Sequence, residues 1–235
     1  MKSRLITISI TYLALIITAI ISFYEFRTLK AKKRIEEYLK QQNWTSLKNK
    51  YAHYTNRGHL TIFWGDSMTE NLQTYLTNSD FILNMGIGGD FTEGLIARVT
   101  DVTRLSPDNL FIMIGVNDIL TDLPLKQIKE NYEKLIDLIK LQSPKTKVFI
   151  QPILPITSLK SMSGFMIRCN KKIVQLNSFI FQLAILRKLI YIDMYQEFLN
   201  SNSELKIDLT TDGIHLNEKG YLIWKRYLKK YLELV

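Results

Sequence analysis

Leu60-Thr61-Ile62-Phe63-Trp64-Gly65-Asp66-Ser67 is the stretch that decides the fold. Residues 60–64 form a short, almost wholly apolar run without the polar alternation of a half-solvated strand. A run of that kind fits a strand buried on both faces, as in a parallel sheet. Gly65-Asp66-Ser67 then breaks it with residue types suited to a turn and to the N-cap of a helix. Strand, polar turn, helix is one unit of an α/β chain.

The same unit recurs downstream. Phe81–Asn84, Leu110–Ile114, Lys147–Gln151 and Leu189–Ile192 are further short apolar runs. Helical periodicity lies between them, clearest over Leu125–Leu141 and Arg168–Arg187, and Glu218–Leu234 closes the chain. The alternation predicts a three-layer α/β/α domain over residues 59–235 around a mainly parallel, flavodoxin-like five-stranded sheet. There is no internal repeat or low-complexity stretch. Ligands in such folds bind beyond the carboxyl ends of the strands. Polar motifs follow the first three runs there: Gly65-Asp66-Ser67, Gly86–Asp90 and Gly115–Asp118. Residues 152–166 follow the fourth; Ser161, Ser163, Gly164 and Phe165 make a flexing lid and an ordinary surface loop equal alternatives.

Before the domain the chain changes character. Leu5 to Tyr24 is twenty residues without charge, Pro or Gly. At ~1.5 Å per residue a helix of this length spans ~30 Å, the hydrocarbon thickness of a bilayer. No Ala-x-Ala-like cleavage site ends it, so residues 1–27 are expected to be an uncleaved transmembrane anchor. Residues 28–58 are polar and basic and read as a juxtamembrane helix or stalk. The formal net charge is +9, and most of the excess lies in residues 1–60. The domain is nearly neutral, which argues against nucleic acid as a partner. Basic residues on both sides of the apolar run leave the orientation open. Cys169 is the single cysteine, which excludes an internal disulfide. It reads as a packed thiol in a helix. No His/Cys cluster has metal-ligand spacing, and no metal or cofactor is expected. His53 and His59 lie apart from every motif. The oligomeric state is not legible.

Close to the carboxyl end stands Asp212-Gly213-Ile214-His215. With Ser67 it supplies a hydroxyl nucleophile, a base to take its proton and a carboxylate to orient that base. Taken singly, each motif also has a bland reading as a turn, a cap or a solvated loop. Gly86-Ile87-Gly88-Gly89 is not a dinucleotide-binding loop, because its third glycine is misplaced. No Gly-x-Ser-x-Gly elbow is present, so the α/β-hydrolase fold is not implied.

In order, the four blocks resemble the SGNH hydrolase superfamily of GDSL-type esterases and lipases. They are Gly65-Asp66-Ser67, Asn84-Met85-Gly86-Ile87-Gly88-Gly89-Asp90, Gly115-Val116-Asn117-Asp118 and Asp212-Gly213-Ile214-His215. The resemblance covers residues 60–231. The wording Gly-Ile-Gly-Gly-Asp is similar to the subgroup of platelet-activating-factor acetylhydrolase catalytic subunits and bacterial acetyl esterases. It implies Ser67 as nucleophile, His215 as general base and then acid, and Asp212 as its orienting carboxylate. It also implies an oxyanion hole from the backbone N–H groups of Ser67 and Gly89 and the side-chain amide of Asn117. Asp66 and Asp90 are expected to bond loop amides, Asp118 to tie its own loop, and Asn84 to brace the second block. The implied activity is a membrane-anchored serine esterase removing a short acyl group, acetyl foremost, from an oxygen ester. The substrate would be a small molecule, glycan or lipid. A lysophospholipase or thioesterase and an O-acyltransferase share the triad and stay as alternatives. A non-catalytic tethered binding module is disfavoured because every catalytic position is filled.

Overall fold

A computed structural model of the chain describes residues 12–23, 25–26, 29–30, 33, 36–37, 54, 58–76, 81–159 and 164–232. Five strands form one parallel sheet: β1 (Thr61–Gly65), β2 (Ile82–Asn84), β3 (Asn109–Met113), β4 (Lys147–Ile150) and β5 (Ile190–Tyr191), in the order β2-β1-β3-β4-β5. The chain leaves β1 for β2 on one side and returns to β3 on the other. That reversal opens a crevice beyond the ends of β1 and β3, the natural ligand position of an open α/β sheet.

The helices are α1 (Ser67–Leu72), α2 (Thr92–Ala97), α3 (Val99–Thr103), α4 (Val116–Leu120), α5 (Leu125–Gln142), α6 (Gly164–Leu186) and α7 (Glu218–Leu232). Successive strand residues point to opposite faces, so each strand feeds two cores. Ile62, Trp64, Leu110, Ile112, Val148 and Ile150 pack with residues of α2, α3, α5 and α6. Phe63, Phe111 and Phe149 face the other way, onto α1 and α7. Those three rings are register partners on adjacent strands, stacked with centroids 4.8 and 4.3 Å apart. Such cross-strand aromatic pairs favour this register over a slip, which would send the rings to the other face. Trp224 of α7, fully buried, lies on the same layer and donates its indole N–H to Gln151 Oε1 at 2.7 Å.

Five features differ from the sequence reading. The first strand ends on Gly65 instead of Trp64, the last keeps two residues instead of four, and α6 starts four residues early at Gly164. The helices α2 and α3 were not expected, because five or six residues are too few to show a period. Residues 152–157 are not a flexing lid. They are buried, and two asparagines one heptad apart on α6 clamp them. Asn177 pairs through its amide with Ile153 N and O at 2.8 Å each, and Asn170 with Ile156 at 3.0 and 2.8 Å. Ser161 and Ser163 lie outside the described residues.

Residues 12–23 are helical and exposed along their length, with Leu13, Ile16, Ile17, Ile20 and Ile21 bare. Among the described residues no helix is long and apolar enough to cross a membrane. Residues 5–11 and 24 of the expected anchor lie outside the described set, as do most of the expected stalk and His53.

Candidate active site

Ser67 occupies the first position of α1, directly after β1. Asp66 is its N-cap, with Oδ1 accepting from Met68 N at 3.0 Å. The N–H of a first-turn residue has no partner inside its own helix, so that of Ser67 is available to a ligand. Ser67 Oγ lies 2.9 Å from His215 Nε2 although 148 residues separate them in the chain. His215 Nδ1 lies 2.6 Å from Asp212 Oδ2. The other carboxylate oxygen, Oδ1, accepts the backbone N–H groups of Ile214 at 2.9 Å and His215 at 2.8 Å. Burial opposes ionisation of Asp212, but the His215 ring and these two N–H groups together outweigh it and hold the carboxyl below its ordinary range. An ionised carboxylate only accepts, so Nδ1 must carry the proton of a neutral ring. Nε2 then presents its lone pair to the serine hydroxyl.

The 210–216 loop that carries the pair is fixed by its own backbone. Thr210 and Leu216 form an antiparallel bridge, Thr210 Oγ1 donates to His215 O at 2.7 Å, and Gly213 N donates to Thr210 Oγ1 at 2.8 Å. Gly213 has φ +95°, and a Cβ there would sit 2.1 Å from Thr157 O. The position therefore needs glycine twice over, for its backbone and for its space. On the far side of this loop, the Tyr221 hydroxyl donates to Met68 O at 3.1 Å and fastens α7 to the serine helix.

The second and third blocks meet the first as expected, at the ends of β2 and β3. Gly89, itself half-buried, takes φ +75° between half-buried Gly88 and buried Asp90. Asn117 Nδ2 donates to Asp90 O at 2.9 Å, which sets its amide against the Gly89–Asp90 segment. One of its two amide hydrogens is committed there, and the other remains for a ligand. Asn84 braces the second block as anticipated: Oδ1 accepts from Gly86 N at 2.9 Å and Nδ2 donates to Thr69 O at 2.6 Å. Asp118 does not tie its own loop. It reaches 26 residues back to the start of α2, accepting from Thr92 Oγ1 at 2.6 Å and Thr92 N at 3.1 Å.

The residue that sequence reasoning missed is Arg98. It is 3% exposed and sits at the junction of α2 and α3. Its guanidinium donates to Asp90 Oδ2 from Nε at 2.9 Å, to Met85 O at 2.7 Å and to Gly65 O at 3.1 Å. Gly65 O also accepts from Ile87 N at 3.0 Å. One side chain thus ties the end of β1, the end of β2 and the Gly-Gly-Asp turn. Nothing in the sequence marks it, since a lone arginine in a short segment reads as surface charge.

Arg98 is the counter-charge to a cluster of carboxyls beneath the site. Burial pushes Asp66 up to about 7, reinforced by Asp90 and Asp118. Burial pushes Asp118 up to about 6 against the Thr92 hydrogen bonds, with Asp90 adding to the rise. Asp90 is raised by burial too, with Arg98 pulling back. Cys169 is buried and free, its thiol pushed up by burial, as befits a packing residue. His59 is exposed, 3.9 Å from Asp108 and away from these blocks.

The GDSL-like lipase/acylhydrolase family model matches residues 50–223. The chain belongs to that family. Membership places it among ester-hydrolysing enzymes. It is similar in structure to a GDSL-like lipase from Bacteroides thetaiotaomicron VPI-5482, with a TM-score of 0.73 and 23% identity over 81% of this chain and 97% of that one. A Streptococcus pneumonia protein named as a candidate platelet activating factor gives a TM-score of 0.72 and 29% identity over 86% and 98%. Among curated proteins it is 23% identical over 180 residues to N-acylneuraminate cytidylyltransferase of Streptococcus agalactiae serotype V. That match takes in 77% of this chain but only 40% of the relative. The four blocks of this GDSL-type chain all lie within residues 50–223, the region that the family model matches.

Proposed function

We propose that the chain is a serine esterase that removes a short acyl group, acetyl foremost, from an oxygen ester. The observation that carries this reading is the unbroken Ser67–His215–Asp212 hydrogen-bond chain at 2.9 and 2.6 Å. Ser67 Oγ attacks the ester carbonyl while its proton passes to His215 Nε2, forming a tetrahedral oxyanion. The Ser67 and Gly89 N–H groups and the free amide hydrogen of Asn117 stabilise that charge. Each such donor is worth ~2.7–4 kcal/mol when fixed in advance. The C–O bond to the alcohol then breaks, and His215 returns the proton to the departing oxygen. Water repeats the sequence on the acyl-enzyme: His215 takes its proton, the acid leaves, and Ser67 recovers its hydrogen.

The preference for a short acyl chain rests on the Gly86-Ile87-Gly88-Gly89-Asp90 wording of the second block, which is similar to that of the acetyl esterase subgroup. Membrane anchoring through residues 5–24 belongs to the same reading, on the strength of the uncharged run and the bare apolar residues within 12–23.

Hydrolysis of p-nitrophenyl esters of graded chain length tests the chemistry. Acetate is expected to be the best substrate, and Ser67→Ala to lose at least ~10³-fold. Full activity in that variant would remove Ser67 from the mechanism. Cell fractionation tests the anchor: activity of the full chain should sediment with membranes, and deletion of residues 1–27 should release it. A full chain recovered in the soluble fraction would dispose of the anchor alone.

A further inference from the structure

His215 must hand its proton to the departing alcohol, so the alcohol half of the ester has to lie beside the imidazole. On that side a cavity of about 500 Å³ opens between α1, the Gln73–Tyr75 turn and the start of α7. This is within the ~300–1,000 Å³ usual for small-molecule sites. Asn71, Thr74, Tyr75, Thr211 and Glu218 line it together with His215. Hydroxyls, an amide and a carboxylate make up most of that wall, so the room beside the imidazole is large and polar.

Two further details narrow the alcohol. Tyr75 and Tyr221 stack with ring centroids 4.8 Å apart and planes 14° apart, giving one side of the cavity a flat aromatic wall. A flat wall of C–H-accepting π-surface beside hydroxyl and amide donors suits a ring with polar edges and an apolar face. Among the described residues lining the cavity there is no Lys or Arg, and Glu218 is the acidic member. A phosphate on the alcohol would meet like charge there, with no cation to pair with.

We infer that this cavity receives the alcohol half of the substrate and that the alcohol is an uncharged polyol, a neutral sugar unit and not a phosphorylated glycerol. The inference rests on the esterase reading above and names its leaving group. Tyr75 and Glu218 are then specificity residues: the ring seats the sugar face, and the carboxylate accepts sugar hydroxyls and repels anions.

The test compares kcat/KM of the full chain on three acetyl esters. These are a mono-O-acetylated neutral hexoside, its phosphorylated counterpart, and p-nitrophenyl acetate as the reference for the triad. The neutral hexoside should exceed the phosphorylated one by about tenfold or more. Tyr75→Ala should lower the hexoside-to-reference ratio by about tenfold, the scale of one lost aromatic contact. Glu218→Lys should shift preference toward the phosphorylated ester. Each ratio is taken on one preparation, so loss of folded enzyme cancels. Equal rates on the two hexosides, or a ratio unmoved by Tyr75→Ala, would overturn the inference and leave the esterase reading standing. A chain inactive on all three esters would instead bring down the esterase reading, and this inference with it.

Discussion

Replacing Arg98 by methionine keeps roughly the aliphatic stem of the side chain and removes the guanidinium with its five donors. In the native protein the guanidinium is 2.7 Å from Asp90 Oδ2 through Nη2, and both partners are 3% exposed. It also serves Met85 O and Gly65 O. Removing one partner of a buried ion pair costs ~3–5 kcal/mol because the other charge is left without compensation. Two backbone carbonyls lose a donor as well, at ~1–3 kcal/mol for each one left wholly unsatisfied. Gly65 O retains Ile87 N, and Asp90 can relieve itself by taking a proton. The loss is therefore expected at ~3–5 kcal/mol, against a total of ~5–15 kcal/mol for a typical domain. Urea unfolding of the full chain reads it as a fall in midpoint with unchanged slope. The loss should be smaller at pH 5 than at pH 8, since protonation of Asp90 then comes more readily. Adding Asp90→Asn should restore ~1 kcal/mol or more in a double-mutant cycle. A loss below ~1 kcal/mol, or strict additivity of the two changes, would refute the claim that this pair holds the blocks together.

Three other outcomes follow from the same geometry. Asp212→Asn keeps an acceptor for the Ile214 and His215 N–H groups but removes the charge that fixes the ring tautomer, so kcat should fall by roughly 10²–10⁴; steady-state ester hydrolysis checks this, and a change under threefold would exclude it. Asp66, at about 7 in the fold against 3.8 outside it, binds more protons folded than unfolded between those values. Its contribution to stability thus declines as pH rises from about 4 to 7, on the order of 4 kcal/mol in all. Thermal melts should accordingly show a higher Tm at pH 5 than at pH 8, with Asp66→Asn flattening the difference; a Tm that rises over this interval would contradict the assignment. Asp212, held low, acts in the opposite sense and only below its ordinary range, so the two windows are separate. Gly213→Ala would press a methyl against Thr157 O at a positive φ, and should cost ~1–3 kcal/mol while displacing Asp212 and His215. Unfolding and kcat together measure it, and a neutral outcome in both would mean the loop yields easily.

The sheet was legible because its signal is local. Five short apolar runs, the first three with a polar motif behind them, state both the strands and the edge on which the site lies. The grouping proposed as the triad was legible for a similar reason: Ser67 follows a strand, and Asp212 and His215 sit three residues apart in one loop. What stayed hidden depends on contacts between distant segments. Arg98 reads from sequence as surface charge and Asp118 as a tie within its own loop, yet both are buried, bonded to Asp90 and Thr92 respectively. The clamping of residues 152–157 by Asn170 and Asn177 was equally silent. An asparagine every seventh residue of a helix has no meaning until the loop beside it is known.

These hidden contacts divide the site into two parts with different physical duties. Ser67, Gly89 and Asn117 stand at the start of α1, in the second-block turn and in the first turn of α4, above a layer formed by Arg98, Asp66, Asp90, Asp118 and Asn84, all of them buried. Donors rooted in such a network cannot reorient to follow charge, and this is the condition under which they lower a barrier without reorganisation cost. The Asp212–His215 pair is the opposite, with side chains 50% and 34% exposed. In the proposed mechanism the imidazole gives the serine's proton to an alcohol and then takes one from water, so it must stand where both can reach it. Burial there would penalise the imidazolium on which each transfer depends. The fold therefore keeps its charged network under the proposed oxyanion donors and leaves the proposed proton carrier on a loop at the surface. The 2.9 Å contact between Ser67 and His215 is where the two parts meet. The Tyr221 bond to Met68 O, from the helix after the histidine loop to the helix of the serine, keeps that junction in register.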